Sequence, residues 1–325
     1  MIKLKTFGSF TVGNDLTSVQ EGAWRSEKLE KLFVYLAMNR NRGVCIEDIS
    51  EAIWQVEEET DNPVGALKNL AYRLRKALRD ASFDEECIVS VRGGLYKWND
   101  DVEVTIDVEE FDRYINEAEM AFCRSKETAI ESYEKAIALY HGDFLPLRTD
   151  THWFMTLNAF YHSRYVNTVK ALAKLYIDTG CYEKLEQLCT KAIVYERSDE
   201  QIYSYLIVAR MRTKKVQMAF DTYETAKAIM DKDLGVRKTV MLNKVYEELL
   251  SVTKGASSYN IDEVKDDISE ESMNGVFMCG YPVFKEIYQL EVRKSARSTI
   301  PESLVLVTVC LLYTSPSPRD LSTSR

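Results

Sequence analysis

Asp61-Asn62-Pro63-Val64-Gly65-Ala66-Leu67-Lys68-Asn69-Leu70-Ala71-Tyr72-Arg73-Leu74-Arg75-Lys76-Ala77-Leu78-Arg79 carries two helical stripes of opposite character. Leu67, Leu70, Leu74 and Leu78, with Ala71 and Ala77, recur at the spacing of one buried helix face. Lys68, Tyr72, Arg75 and Arg79 form a second stripe, with Arg73 and Lys76 beside it. The start is marked as well, because Asn62 suits an N-cap and Pro63 the first helical position. A helix over 63–79 is about 25 Å long at about 1.5 Å per residue. It holds five basic residues and no acidic one, in a chain of net charge −9. That local reversal of sign requires an explanation.

The surroundings narrow it. With 325 residues there is room for two or three domains, and 46% hydrophobic with 29% charged residues is the balance of an ordinary globular protein. An acidic chain does not coat nucleic acid indiscriminately, yet one domain can still present a compact basic surface. The seven cysteines, odd in number and without a CxxC, fit reduced thiols and predict neither a disulfide framework nor a zinc site. The N-terminus begins at once with alternating Ile2-Lys3-Leu4-Lys5, so no signal peptide is expected, and no apolar run is long enough to span a bilayer. The expected location is the cytoplasm, with no membrane partner.

Upstream, Ile2, Leu4, Phe7, Phe10 and Val12 predict short strands punctuated by Gly8 and Gly13-Asn14. Leu29, Leu32, Phe33 and Leu36 mark the buried face of a helix over 27–38, with Ser26 as its cap. Ile46, Ile49, Ile53 and Trp54 mark a second, short helix, with Glu47 and Asp48 in its first turn. Residues 56–61 form an acidic loop, and the basic helix follows. Behind it, 87–91 and 95–98 predict two strands around Gly93-Gly94. Small sheet, three helices and a hairpin is the order of a winged helix-turn-helix, in which the third helix enters the major groove and the hairpin lies along the backbone.

Phe7-Gly8-Ser9-Phe10, Trp24-Arg25-Ser26-Glu27-Lys28, Ile53-Trp54, Asn69-Leu70-Ala71-Tyr72-Arg73-Leu74-Arg75-Lys76 and Gly93-Gly94-Leu95-Tyr96-Lys97-Trp98 together resemble the OmpR-type winged-helix DNA-binding domain over 1–100. The resemblance is to regulators that also carry a bacterial transcriptional activator domain, the Streptomyces antibiotic regulatory protein type. One departure is the wing, where Leu95 separates Gly94 from Tyr96. Physical chemistry supports the same reading. Lys and Arg neutralise phosphates and release counterions. An arginine on a guanine edge, or Asn69 on an adenine edge, adds roughly 1–3 kcal/mol of discrimination each. The candidate DNA contacts are therefore Lys68, Asn69, Tyr72, Arg73, Arg75, Lys76 and Arg79, with Arg25 and Arg92 as contacts at the domain edge. Lys68, Asn69 and Tyr72 are placed nearer the bases, and Arg73, Arg75, Lys76 and Arg79 nearer the phosphates. The bland alternative for the basic face is a solvated surface, and for Tyr72, Arg25 and Arg92 simple surface packing. The order of the neighbouring elements tips the balance toward DNA.

From Val108 onward, after a connector over 102–107, the sequence predicts helix after helix: 127–140, 166–179, 182–194, 201–212 and 216–230. A shift of 34 residues superposes Leu172 on Leu206, Tyr182 on Val216, Leu185 on Ala219 and Ala192 on Ala226, with Gly180 and Lys214 at equivalent turns. That is the tetratricopeptide period. Ala136-Ile137-Ala138-Leu139-Tyr140-His141-Gly142-Asp143-Phe144-Leu145 with Trp153, and Asp233-Leu234-Gly235-Val236-Arg237 with Leu242 and Tyr246, resemble the bacterial transcriptional activator domain over 104–253. The resemblance implies dimerisation, partner contact or effector response. His141, Trp153 and His162 are expected to serve packing rather than a ligand pocket. Without a catalytic triad, paired carboxylates, metal ligands, GxxxxGK[ST] or GxGxxG, the chain is expected to be neither an enzyme nor a holder of a cofactor.

Residues 254–272 are polar and acidic and predict a linker. A strand over 275–278, a helix over 282–297 and a strand over 304–309 resemble the opening β-α-β of a nucleotide-cyclase-like third domain, cut short over 273–310. Arg293 and Arg297 fall on its helix surface, and no GGDEF motif supports cyclase activity. Residues 311–325 resemble translated adaptor sequence and are expected to be a non-native tail.

The fold class expected is therefore an α+β winged helix followed by an all-α tetratricopeptide-like domain and a fragment of a third, α/β domain. The function expected is a sequence-specific DNA-binding regulator of transcription. Double-stranded DNA is the principal partner, RNA polymerase a further one, and a homodimer on half-sites about 10–11 base pairs apart the expected assembly. No receiver domain is expected before the winged helix, so control is expected through the helical domain, a further C-terminal domain, expression level or a partner protein. The competing reading is an interaction scaffold whose winged helix no longer binds DNA. Changing Arg75 and Arg79 together to Ala separates the two.

Overall fold

The computed structural model describes residues 1–14, 17–54, 62–83, 87–91, 94–148, 150–234, 239–256 and 281–295. Two compact units emerge, 1–257 and 258–325. The first opens with three short strands, β1 (Ile2–Lys5), β2 (Thr11–Gly13) and β3 (Ser18–Gln20), and continues with α1 (Glu27–Met38), α2 (Ile46–Ile53) and α3 (Pro63–Asp80). The hairpin β4 (Ile88–Val91) and β5 (Leu95–Trp98) follows. Sheet, three helices and wing thus stand in the expected order.

The segment read as a connector contains a strand, β6 (Val104–Ile106), which pairs in parallel with β1 as the fourth strand of the order β3-β2-β1-β6. Three residues are too few to show alternation, so the sequence carried no strand signal there. The chain then runs straight into α4 (Asp107–Ala121). The Asp107 carboxylate accepts from the Thr6 amide (2.7 Å), the Thr6 hydroxyl (2.6 Å), the Phe7 amide (2.9 Å) and its own neighbour Val108 (2.9 Å). One side chain therefore joins the end of β1 to the start of the helical array.

The array continues with α5 (Lys126–Leu139), α6 (His152–Asp178), α7 (Tyr182–Tyr195), α8 (Glu200–Arg212), α9 (Val216–Ile229), a π turn (Met230–Leu234) and α10 (Val240–Ala256). α6 begins fourteen residues before the predicted 166, because Trp153 and Phe154 bury against the winged helix and extend its apolar face. The 34-residue repeat is geometrical as well as sequential. Cys181 donates to Tyr176 and Lys215 to Arg210, both at 2.8 Å, the same bond one repeat apart. Gly180 and Lys214 both take the left-handed conformation that such a helix end needs, with φ of 72° and 62°. Leu172 and Leu206, Leu185 and Ala219, and Ala192 and Ala226 are all buried.

Winged helix and array share one hydrophobic core, running from Ile2 through α1 and α3 into α4 to α8. Phe7 meets Phe111, Tyr140 and Tyr161 at ring distances of 5.2, 5.0 and 5.7 Å. The Phe7-Gly8 and Gly142-Asp143-Phe144 signatures meet here: Phe7 bridges to Phe144, and the Gly8 amide donates to the Asp143 carbonyl at 2.9 Å. Gly8 has φ of 80°, and a Cβ on it would come within 2.6 Å of the His141 carbonyl oxygen. Only glycine fits.

In the second unit, α11 (Tyr281–Ser295) occupies the predicted helix, with Arg293 exposed on it. The predicted acidic loop over 56–61, Arg92-Gly93, Gly235-Val236-Arg237, the predicted linker from 257 to 272, the strands predicted over 275–278 and 304–309, Arg297 and the tail lie outside the described residues.

Candidate nucleic-acid interface

α3 is built as its sequence dictates. The Asn62 side chain accepts from the Gly65 amide at 2.9 Å, and Pro63 opens the first turn. Leu67, Leu70, Ala71, Leu74 and Leu78 are buried. On the opposite side Lys68, Asn69, Tyr72, Arg73, Lys76 and Arg79 are all exposed, Tyr72 at 66%. A tyrosine that merely packed on the helix would not leave two thirds of its surface in water. The only acidic residue on α3 is Asp80, at its last position.

Arg75 departs from its neighbours. It is half-buried, and its Nε and Nη2 donate to the Ile88 carbonyl of β4 at 3.2 and 3.0 Å. Of the two predicted contacts off α3, Arg92 lies outside the described residues. Arg25 lies exposed in the turn before α1, with φ of 51°. Ser26 occupies the cap position of α1, but its side chain makes no capping bond.

Two features escaped sequence reading. The Asn39–Gly43 turn carries Val44 to the wing, where Val44 and Tyr96 exchange hydrogen bonds of 2.8 and 2.9 Å. Glu30 and Lys31, adjacent on α1, are both almost fully buried. Glu30 accepts from Arg148 at 2.5 Å and from the Gly22 amide at 2.8 Å, while Lys31 pairs with Asp150. Their identity as charged residues pointed to solvent; only the helical array lying over α1 explains their burial.

His141, Trp153 and His162 do not share one pocket: His141 and Trp153 line separate surface cavities, and Trp153 and His162 also make contacts that join elements. Trp153 packs on Tyr35 at 4.8 Å and on Phe154 at 4.7 Å. His162 lies between Asp143 (2.8 Å) and Glu196 (3.1 Å); His141 is exposed. Burial lowers the His162 pKa, but the bonds to Glu196 and Asp143 outweigh it and leave it above the ordinary value.

An exposed cationic face on the third helix, backed by a hairpin and fused to a helical repeat array, is the architecture of a DNA-binding winged helix joined to a tetratricopeptide-like domain. Residues 21–98 match the C-terminal domain of transcriptional regulatory proteins, and residues 106–250 match the bacterial transcriptional activator domain. The transcriptional regulator RedD of Streptomyces coelicolor is 23% identical over 238 residues, covering 72% of this chain and 67% of RedD. The structure of Mycobacterium tuberculosis EmbR, solved with a low-affinity phosphopeptide, is similar in fold, with a TM-score of 0.59 and 20% identity over 84% of this chain and 72% of EmbR. The chain thus joins an OmpR-type winged helix to a bacterial transcriptional activator domain, the domain pair of transcriptional regulators of this type.

Proposed function

We propose that the chain recognises duplex DNA by laying the exposed face of α3 in the major groove, with Lys68, Asn69 and Tyr72 toward the bases and Arg73, Lys76 and Arg79 toward phosphates. The observation that carries this is the outward face itself: four cations, one amide and one aromatic ring, uninterrupted by an acid before Asp80. In an acidic protein that face concentrates the positive potential a duplex requires. Arg25 and Arg92 are secondary candidates for backbone contact. The helical array supplies the surface for a second copy or for RNA polymerase, and the protein acts in the cytoplasm without catalysing a reaction. Among the described residues no helix is long and apolar enough to cross a membrane.

Selection of duplexes from a random pool, followed by affinity measurements across salt, tests this. Affinity is expected to fall steeply with salt, and the Arg73→Ala/Lys76→Ala pair to flatten the log–log slope by about 2, near 0.9 per phosphate lost. A chain that binds no duplex even at low salt would instead be an interaction scaffold.

A further inference from the structure

The wing is held along both of its edges, and the recognition helix supplies one of the holds. Within the hairpin, Ile88 stands opposite Trp98 and Val91 opposite Leu95. The Cys87 carbonyl faces β5, accepting from the Asn99 amide at 2.8 Å. Successive carbonyls on a strand point to opposite sides, so the Ile88 carbonyl faces outward, away from β5. An outward carbonyl on a two-stranded hairpin has no third strand to satisfy it. Arg75 takes that place with two donors, Nε at 3.2 Å and Nη2 at 3.0 Å. The opposite edge, along β5, is closed by Val44, whose amide and carbonyl both bond Tyr96.

The position of Arg75 on α3 explains how it reaches the hairpin. At roughly 100° per residue it lies some 40° from Ala71, on the flank where the buried stripe meets the exposed one. Tyr72 and Lys76 lie nearer the middle of the outward face. Arg75 is half-buried, while the other six predicted contacts on α3 are exposed.

We propose that Arg75 is a positioning residue for DNA recognition: it sets the wing against α3 so that both reach the duplex together, and it does not itself neutralise a phosphate. This rests on the DNA-binding reading above. The planar guanidinium presents two donors to one carbonyl from a fixed fork. A lysine at the same place keeps the charge and loses the fork. The counterion release that accompanies a phosphate contact, by contrast, follows from the charge, which lysine keeps.

The test uses the full chain and a duplex recovered by selection. Arg75→Ala and Arg75→Lys are both expected to lose specific affinity on the order of tenfold, as for a lost hydrogen bond to a charged group. Their salt slopes should match that of the unaltered protein, whereas Lys76→Ala should lower the slope by about 0.9. In the free protein, amide hydrogen exchange along β4 should quicken on the order of tenfold in Arg75→Ala and remain unchanged in Lys76→Ala. Full rescue of binding by Arg75→Lys, together with a reduced slope in Arg75→Ala, makes Arg75 a phosphate contact and overturns the proposal. Unchanged β4 exchange in Arg75→Ala overturns it too, with the DNA-binding reading intact. Absence of salt-dependent duplex binding in the unaltered chain removes that reading itself, and the role in recognition with it.

Discussion

At the scale of single residues, backbone conformation and buried carboxylates set the energies. Gly180 and Lys214 perform the same helix-ending turn in successive repeats, yet only one of them is glycine. A left-handed conformation costs an L-residue roughly 1–2 kcal/mol, against about 0.5–1 kcal/mol of extra chain entropy lost by glycine. Lys214→Gly is therefore expected to stabilise the protein by about 0.5–1 kcal/mol, and Gly180→Ala to destabilise it by about 1 kcal/mol. Urea titrations of both variants check the opposed signs. Asp107 is the counterpart in hydrogen bonding. It satisfies the amides of residues 6 and 7, a hydroxyl and the amide of Val108 in the first turn of α4. Asp107→Ala leaves those donors buried and is expected to cost about 3 kcal/mol or more, read as a lowered denaturation midpoint.

At the scale of elements, one histidine fastens three pieces of the array. His162 on α6 reaches Asp143 in the loop after α5 and Glu196 at the end of α7. Because its folded pKa lies above the ordinary value of 6.5, its contribution is fully present below that pH. It is lost as pH rises through the folded value. The melting temperature is expected to fall over that interval, and His162→Gln to remove this component of the pH dependence. A wild-type profile that rises over the same interval would contradict the pairing. The recognition helix shows how the same level of description separates roles. Its buried and exposed stripes were both legible in the residue types, since leucines and cations alternate at helical spacing. The division among the cations was not, because Arg75 differs from Arg73 only in what lies beside it after folding.

At the scale of the whole molecule, the winged helix and the helical array of 1–257 form one body. Two ion pairs of opposite orientation clasp α1 to the segment ahead of α6: Glu30–Arg148, buried on both sides, and Lys31–Asp150, buried on the lysine side only. Glu21 and Glu27 approach the same arginine at 3.3 and 3.6 Å. The Thr151 hydroxyl adds a bond of 2.8 Å to the Ala52 carbonyl at the end of α2. Glu30→Ala removes the buried partner of Arg148 and the acceptor of the Gly22 amide but leaves Glu21 and Glu27 beside the arginine, and is expected to cost about 1–3 kcal/mol. Unfolding should remain a single transition when followed at Trp24 and Trp98 on one side and Trp153 on the other. A fragment ending at residue 103 loses β6, Asp107 and the array's half of the core. It is expected to lack the cooperative melt that 1–256 shows by calorimetry.

Local pattern was enough for much of this protein. Hydrophobic periodicity marked α1, α3, α7, α8 and α9 to within a residue or two, because each buries a stripe set by its own spacing. The 34-residue repeat marked the array for the same reason, and the basic face of α3 was visible because charge sign needs no fold to be read. What the tertiary structure alone decided were pairings between distant residues. β6 exists as a strand because β1 lies beside it a hundred residues away, and α6 begins early because Trp153 finds Tyr35. Glu30 and Lys31 are core residues because partners of opposite charge are folded over them. Arg75 leaves the row of exposed cations because the Ile88 carbonyl needs a donor. Periodicity records the environment a residue meets along its own element; long-range hydrogen bonds and ion pairs depend on which elements are brought together.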